Sequence, residues 1–118
     1  MNPGELLDRT AILTVKVRML GERPEIVSEL KTCTDKLKYL KKASEYLAEF
    51  IFLNEQEWKE NEVIFEAARN EFPNEKKELK RILSSVFEAH KLNMKRVTLK
   101  NSVNAKLGCK TMEIKSWQ

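Results

Sequence analysis

The chain has 118 residues, 22 Lys+Arg against 18 Asp+Glu, and only three Gly and three Pro. A length of this order fits one domain, and so few turn formers argue against a sandwich or barrel, which needs a turn signal about every 8–12 residues. With 42 % hydrophobic and 34 % charged residues the chain is too apolar to be disordered, yet no apolar run approaches the ~18 residues of a membrane span and no signal peptide opens it.

Asn2-Pro3-Gly4-Glu5 predicts a helix start, with Asn2 as cap, Pro3 at the first helical position and Glu5 where a capping-box acid belongs. Leu6, Thr10, Leu13, Val17 and Leu20 continue it, widened by Leu7, Ile12, Val15 and Met19, so this helix is expected to be buried on more than one side. Gly21 and Pro24 end it. Ile26, Leu30, Cys33, Leu37, Leu40, Ser44, Leu47 and Ile51 then alternate at +4 and +3, the pattern of a coiled coil or antiparallel bundle. At Asn54 the sequence leaves two alternatives. One helix from Pro24 to Phe72 would be roughly 70 Å long, too long for a domain with a radius of gyration near ~13–14 Å to cover. A break at Leu53–Asn54, with Glu57 completing an Asn-x-x-Glu capping box, gives a closed core and is preferred.

Phe72-Pro73-Asn74 predicts the clearest break. A last helix follows on Leu79, Ile82, Leu83, Val86, Phe87, Leu92, Val97, Leu99, Val103 and Leu107, with Gly108 after it as a C′ glycine. The alternation from Lys110 to Trp117 predicts an extended tail. The expected fold is an all-α antiparallel bundle of about four helices, near 3–20, 25–53, 55–72 and 75–107. A tail over 109–118 completes one domain.

Charge is unevenly placed. Residues 1–73 hold 11 basic and 14 acidic groups, and residues 74–118 hold 11 basic and 4 acidic, so a −3 part joins a +7 part. Folding 55–72 against 75–92 places Glu71 opposite Lys76, Arg69 opposite Glu78, Glu66 opposite Arg81, and Glu57 opposite His90 and Lys91. Such exposed pairs are worth only ~0–1 kcal/mol each, but they favour an antiparallel hairpin. Cys33 and Cys109 are too few for a disulfide framework and predict free thiols in a reducing cytoplasm.

Two stretches resemble a family of small uncharacterised helical proteins of bacteria and their phages. The first is Gly4-Glu5-Leu6-Leu7-Asp8-Arg9-Thr10-Ala11-Ile12-Leu13 with Lys16. The second is Arg96-Val97-Thr98-Leu99-Lys100-Asn101-Ser102-Val103-Asn104, followed by Glu113-Ile114-Lys115-Ser116-Trp117. Family members begin with a GEL-x-D-K-x-TIL helix and end with R-x-x-LKN-x-IN and an E-[VI]-KS-[YW] tail, and some occur beside surface-polysaccharide enzymes. The resemblance implies no activity. It nominates Glu5, Asp8, Lys16, Arg96, Lys100, Asn101 and Asn104, as either a structural polar cluster between helices or an anion or small-ligand site.

The chemistry is narrow. His90 is the only histidine, no glycine-rich phosphate loop exists, and the Cys and His residues are too scattered for zinc. No catalytic residue, metal or cofactor is expected. Glu57-x-x-Glu60 followed by Glu75-x-x-Glu78 resembles the acidic motifs of MazG-type nucleotide pyrophosphohydrolases, but in a hairpin the two pairs fall ~20 Å apart, too far for one Mg²⁺. Lys76, Lys80, Lys91 and Lys95 form a basic stripe that can grip phosphates. The aromatic residues Tyr39, Tyr46, Phe50, Phe52, Trp58, Phe65, Phe72 and Phe87 are expected mainly in the core. The run Phe50, Ile51, Phe52 and Leu53 covers more than one helix face and is a candidate self-association surface. The resulting expectation is a cytoplasmic, non-enzymatic interaction or assembly protein that pairs with itself or another protein and has no membrane partner. A nucleic-acid binder and a small-ligand or nucleotide enzyme are the alternatives.

Overall fold

A computed structural model describes residues 1–70 and 75–107, and among these the chain is all helix and turn. Four helices follow in order: α1 Pro3–Leu20, α2 Pro24–Leu37, α3 Ala43–Arg69 and α4 Lys76–Lys106. The predicted break at Phe72–Pro73–Asn74, the C′ role of Gly108, the Cys109 thiol and the extended tail over 109–118 lie outside the described residues.

α1 begins and ends as its sequence dictates. The Asn2 side chain accepts a hydrogen bond from the Glu5 amide at 2.8 Å, and Pro3 opens the helix. Gly21 closes it at φ +88°, a conformation that favours glycine, and donates its amide to the Val17 carbonyl at 2.9 Å. The helix packs against α2, α3 and α4. Leu7, Ala11, Leu13 and Val15 are accordingly almost fully buried. With Leu6, Cys33, Leu37, Phe50 and Val103, the first three of these form the core.

The boundary between the second and third helices differs from expectation. The chain breaks over residues 38–42, and Asn54 sits inside α3. Lys42 takes a left-handed conformation at φ 56°, a cost of roughly 1–2 kcal/mol for a residue with a Cβ. Lys36, Lys38, Lys41 and Lys42 explain the position: a continuous helix would stack like charges at i,i+3 and i,i+4. Ending α2 here instead sets lysines against its negative C-terminus. Asn54 does not cap a helix because its amide has better partners. It donates to the Phe50 carbonyl at 2.8 Å and to Asp8 at 3.3 Å. The heptad row marks the buried side of two helices joined by a turn. Ile26, Leu30, Leu40, Leu47 and Ile51 all pack on the one core, while Ser44 turns outward and Ala43 and Tyr46 take its place.

α3 and α4 form the most extensive helix pair and run antiparallel. The 31 residues of α4 continue without a break past His90–Asn93 and span about 46 Å, which accounts for the 51 Å long dimension of the molecule. The predicted charge register holds in part: Glu66 and Arg81 line one cleft between the two helices, Glu71 lies outside the described residues, and the Glu57 end is shifted. Glu57 bonds Arg96, six residues beyond His90, while Lys91 holds Glu88 and Arg81 holds Glu78 within α4. Exposed pairs are too weak to fix register; a buried arginine fixes it instead. The aromatic expectation also needs correction. Phe50 is fully buried, but Tyr39, Phe52, Phe65 and Phe87 are exposed.

Candidate functional site

Where α1, α3 and α4 meet, a polar cluster is enclosed by the core. Asp8 projects from the second turn of α1 and is 5 % exposed. Arg96 reaches it from α4 with two parallel bonds, Nε to Oδ1 at 3.0 Å and Nη2 to Oδ2 at 2.8 Å. The remaining arm of the guanidinium, Nη1, donates to Glu57 Oε2 of α3 at 2.5 Å. Lys100, one turn beyond Arg96, brings Nζ to 3.8 Å from Asp8 Oδ2. Asn54 supplies a third donor to Asp8 from α3. A second contact lies one turn away: the Gly4 amide donates to Asn104 Oδ1 at 2.7 Å. Here the helices approach so closely that a Cβ on Gly4 would sit 2.6 Å from the Lys100 carbonyl oxygen. Glycine is required there by space.

The electrostatics are balanced. Two carboxylates, Asp8 and Glu57, face two cations, Arg96 and Lys100. Burial pulls down the pKa of the Arg96 guanidinium, but hydrogen bonds and charge from Asp8, then Glu57, outweigh it and hold the pKa above its ordinary value. Three of the five guanidinium N–H groups are spent on carboxylates. No surplus positive charge is left for an anion, and Asp8 is saturated with donors. The arrangement ties three helices at one point and fixes their register, a use of buried ion pairs that depends on satisfying every member.

Of the residues nominated from sequence, Asp8, Arg96, Lys100 and Asn104 come together here. Glu5 stays outside the ion pairs and contributes its backbone amide to the Asn2 cap. Asn101 is half-buried and lies outside them too. Lys16 lies two turns along α1, near Glu29 of α2. There Arg9 and Glu29 form a two-bond ion pair at 2.6 and 2.8 Å. The Glu29 carboxyl is held below its ordinary pKa, first by the hydrogen bond from Arg9, with a smaller contribution from Lys16. Sequence reasoning missed Asn54 and Gly4 as members of the junction and gave Glu57 the wrong partner. One signal for Asn54 was present: a polar residue at an inward phase of an apolar row requires a buried partner.

In the apolar run, Phe50 is turned into the core and Ile51 packs on it, leaving Phe52 exposed and Leu53 half-buried. The four residues therefore do not form one outward patch. The acidic pairs also lie apart. Glu57 is at the junction, whereas Glu78 lines a cleft beside Ala67 and Asn70, ten or more residues further along α3, which is ~15 Å or more. Among the described residues no helix is long and apolar enough to cross a membrane. No protein-family model, curated protein or solved structure matches the chain.

Proposed function

We propose that this chain is a non-enzymatic assembly protein that self-associates through the half of the α3–α4 hairpin left uncovered by α1. The observation that supports this most is a row on α4: Leu79, Leu83, Val86, Phe87 and Met94 are all exposed, Leu83 by 54 % and Phe87 by 63 %. Spacings of four, three, one and seven residues keep them on one side of a helix. The bonds from α1 to α4 fall at Arg96 and beyond, as do Leu99 and Val103 of α4 and the following Leu107, which join the core around α1. A row of apolar side chains on a helix face is the surface a second helix buries.

The basic character of α4 favours a second reading, nucleic-acid binding through Lys76, Lys77, Lys80 and Lys95. Two points weigh against it. Arg96 and Lys100 are drawn inward by Asp8, and Leu83, Phe87 and Met94 interleave the lysines with side chains that phosphate contact leaves in water. Sedimentation velocity over a range of concentrations tests the preferred reading. Association that is weakened at least tenfold by Leu83→Asp with Phe87→Asp supports it. A wild-type chain that stays monomeric and binds DNA or RNA in a salt-dependent way overturns it in favour of the second.

A further inference from the structure

The turn that joins α2 to α3 carries none of the residues that usually make one, and we infer that it is a hinge: two copies of the chain exchange their α1–α2 hairpins, each docking residues 1–37 on the α3–α4 hairpin of the other. Residues 38–42 include no Gly, Pro, Asn, Asp or Ser. Lys42 stands at φ 56°, where a glycine belongs, and α3 begins on it without a side-chain cap. Lys41 and Lys42 also place two cations at the positive end of a 27-residue helix, where acids are favoured.

The same residues suit a straight helix. Lys38, Leu40, Lys41 and Lys42 are good helix formers. The apolar row crosses the turn without a change of phase: Leu37, Leu40, Ser44, Leu47 and Ile51 follow at +3, +4, +3 and +4. Straightened, α2 and α3 become one helix from Pro24 to Arg69, about 69 Å long. It pairs the backbone groups that the two helix ends at the turn leave without intrahelical partners. Repulsion of Lys38 by Lys41 and Lys42 within that helix is screened by salt. It is partly offset by Glu45, four residues after Lys41 and three after Lys42.

The contacts that the hinge parts identify the partner. α2 packs chiefly on α1 and is tied to it by the Arg9–Glu29 pair, so the α1–α2 hairpin moves as one piece. It uncovers Phe50, Asn54, Arg96 and Val103 on α3 and α4, a surface shaped for Leu7, Asp8 and Ala11 of this same sequence. A second copy supplies that face, with its buried carboxylate in place. Asp8 of one copy then meets Arg96 and Asn54 of the other, and every bond of the junction is kept but formed between chains. The exchange is reciprocal, so two copies close around a two-fold axis. The exposed row on α4 takes no part, and this mode of association is independent of the surface contact proposed above.

Cross-linking tests the exchange in a chain that carries Leu83→Asp with Phe87→Asp, to disable the surface contact, and Cys33→Ala with Cys109→Ser. Arg18→Cys with Glu55→Cys marks a contact that exchange moves from within a chain to between chains. Arg9→Cys with Glu29→Cys marks one that stays within the chain. Each protein is refolded from urea at high concentration, checked by circular dichroism, separated by size exclusion and treated with a bismaleimide. On a denaturing gel the dimer fraction should run as covalent dimers from the 18–55 pair and as single chains from the 9–29 pair. The monomer fraction should run as single chains from both. Without the added cysteines, Lys42→Gly favours the closed turn at both hinges of a dimer. It should raise the protein concentration that gives half dimer at least tenfold. A dimer fraction whose 18–55 cross-link stays within each chain, the absence of any dimer fraction, or a dimer undiminished by Lys42→Gly overturns the exchange. Each leaves the surface contact standing, because that is read from the wild-type chain against Leu83→Asp with Phe87→Asp.

Discussion

Replacing Arg96 with Met tests whether the polar junction holds the fold together. Met keeps the apolar bulk of the side chain and removes the guanidinium. Asp8, with a side chain only 7 % exposed, keeps Asn54 at 3.3 Å and the longer contact with Lys100 at 3.8 Å. Glu57, at 14 %, loses the one ion pair found for it among the described residues. Breaking a buried pair by removing one partner costs about 3–5 kcal/mol; because Lys100 remains near Asp8, the lower part of that range, about 3 kcal/mol, is expected. That is a large share of the ~5–15 kcal/mol of a domain and lowers the melting temperature by on the order of 10–15 °C. Urea unfolding followed by circular dichroism, at one fixed protein concentration, reads it as a shift in midpoint at unchanged slope. The cycle is completed by Asp8→Asn and the double variant. Because the two residues bond directly, the double variant should lose at least 1 kcal/mol less than the two single losses combined. A loss below about 1 kcal/mol for Arg96→Met, or strict additivity, would refute the account of the junction as a brace.

Three further outcomes follow from particular contacts. Gly4→Ala should lose about 1–3 kcal/mol in the same unfolding assay, because its Cβ meets the Lys100 carbonyl oxygen at 2.6 Å and Asn104 at 3.0 Å; intrinsic helix propensity alone predicts a gain of about 1 kcal/mol, so the sign decides. Lys42→Gly should gain about 0.5–1 kcal/mol by relieving the left-handed backbone at φ 56°, and a loss would contradict that conformation. Glu29 carries a depressed pKa in the folded state. Its contribution is therefore present above the pKa of the unfolded carboxyl, near 4.3, and is lost as pH falls through the lower folded value. Glu29→Gln should lower stability at neutral pH and make the acid limb of a pH–stability curve shallower; an unchanged acid limb speaks against the Arg9–Glu29 pair.

The sequence was most informative where a local signal met no tertiary competitor. Asn2, Pro3 and Gly21 bound α1 because caps and turns act within a few residues. Apolar spacing also gave the number of helices and the antiparallel order. It misplaced the second break because two local signals competed. Asn54 reads as a cap, but Asp8 and the Phe50 carbonyl hold it inside a helix, while the real break at Lys38–Lys42 contains no Gly or Pro. Charge pairing gave the hairpin register at Glu66 and Arg81 but not at Glu57, which the buried Arg96 takes. Helical spacing found the apolar rows, yet it could not tell which of them α1 would cover. That is why Phe65 and Phe87 look like core in the sequence and stand at the surface in the fold.

The central claim is that this surface joins copies of the chain, and the molar mass from static light scattering tests it most directly. The account predicts a mass that rises with concentration above the 13.8 kDa of one chain and falls back in Leu83→Asp with Phe87→Asp. A mass fixed at one chain across the whole concentration range would contradict it.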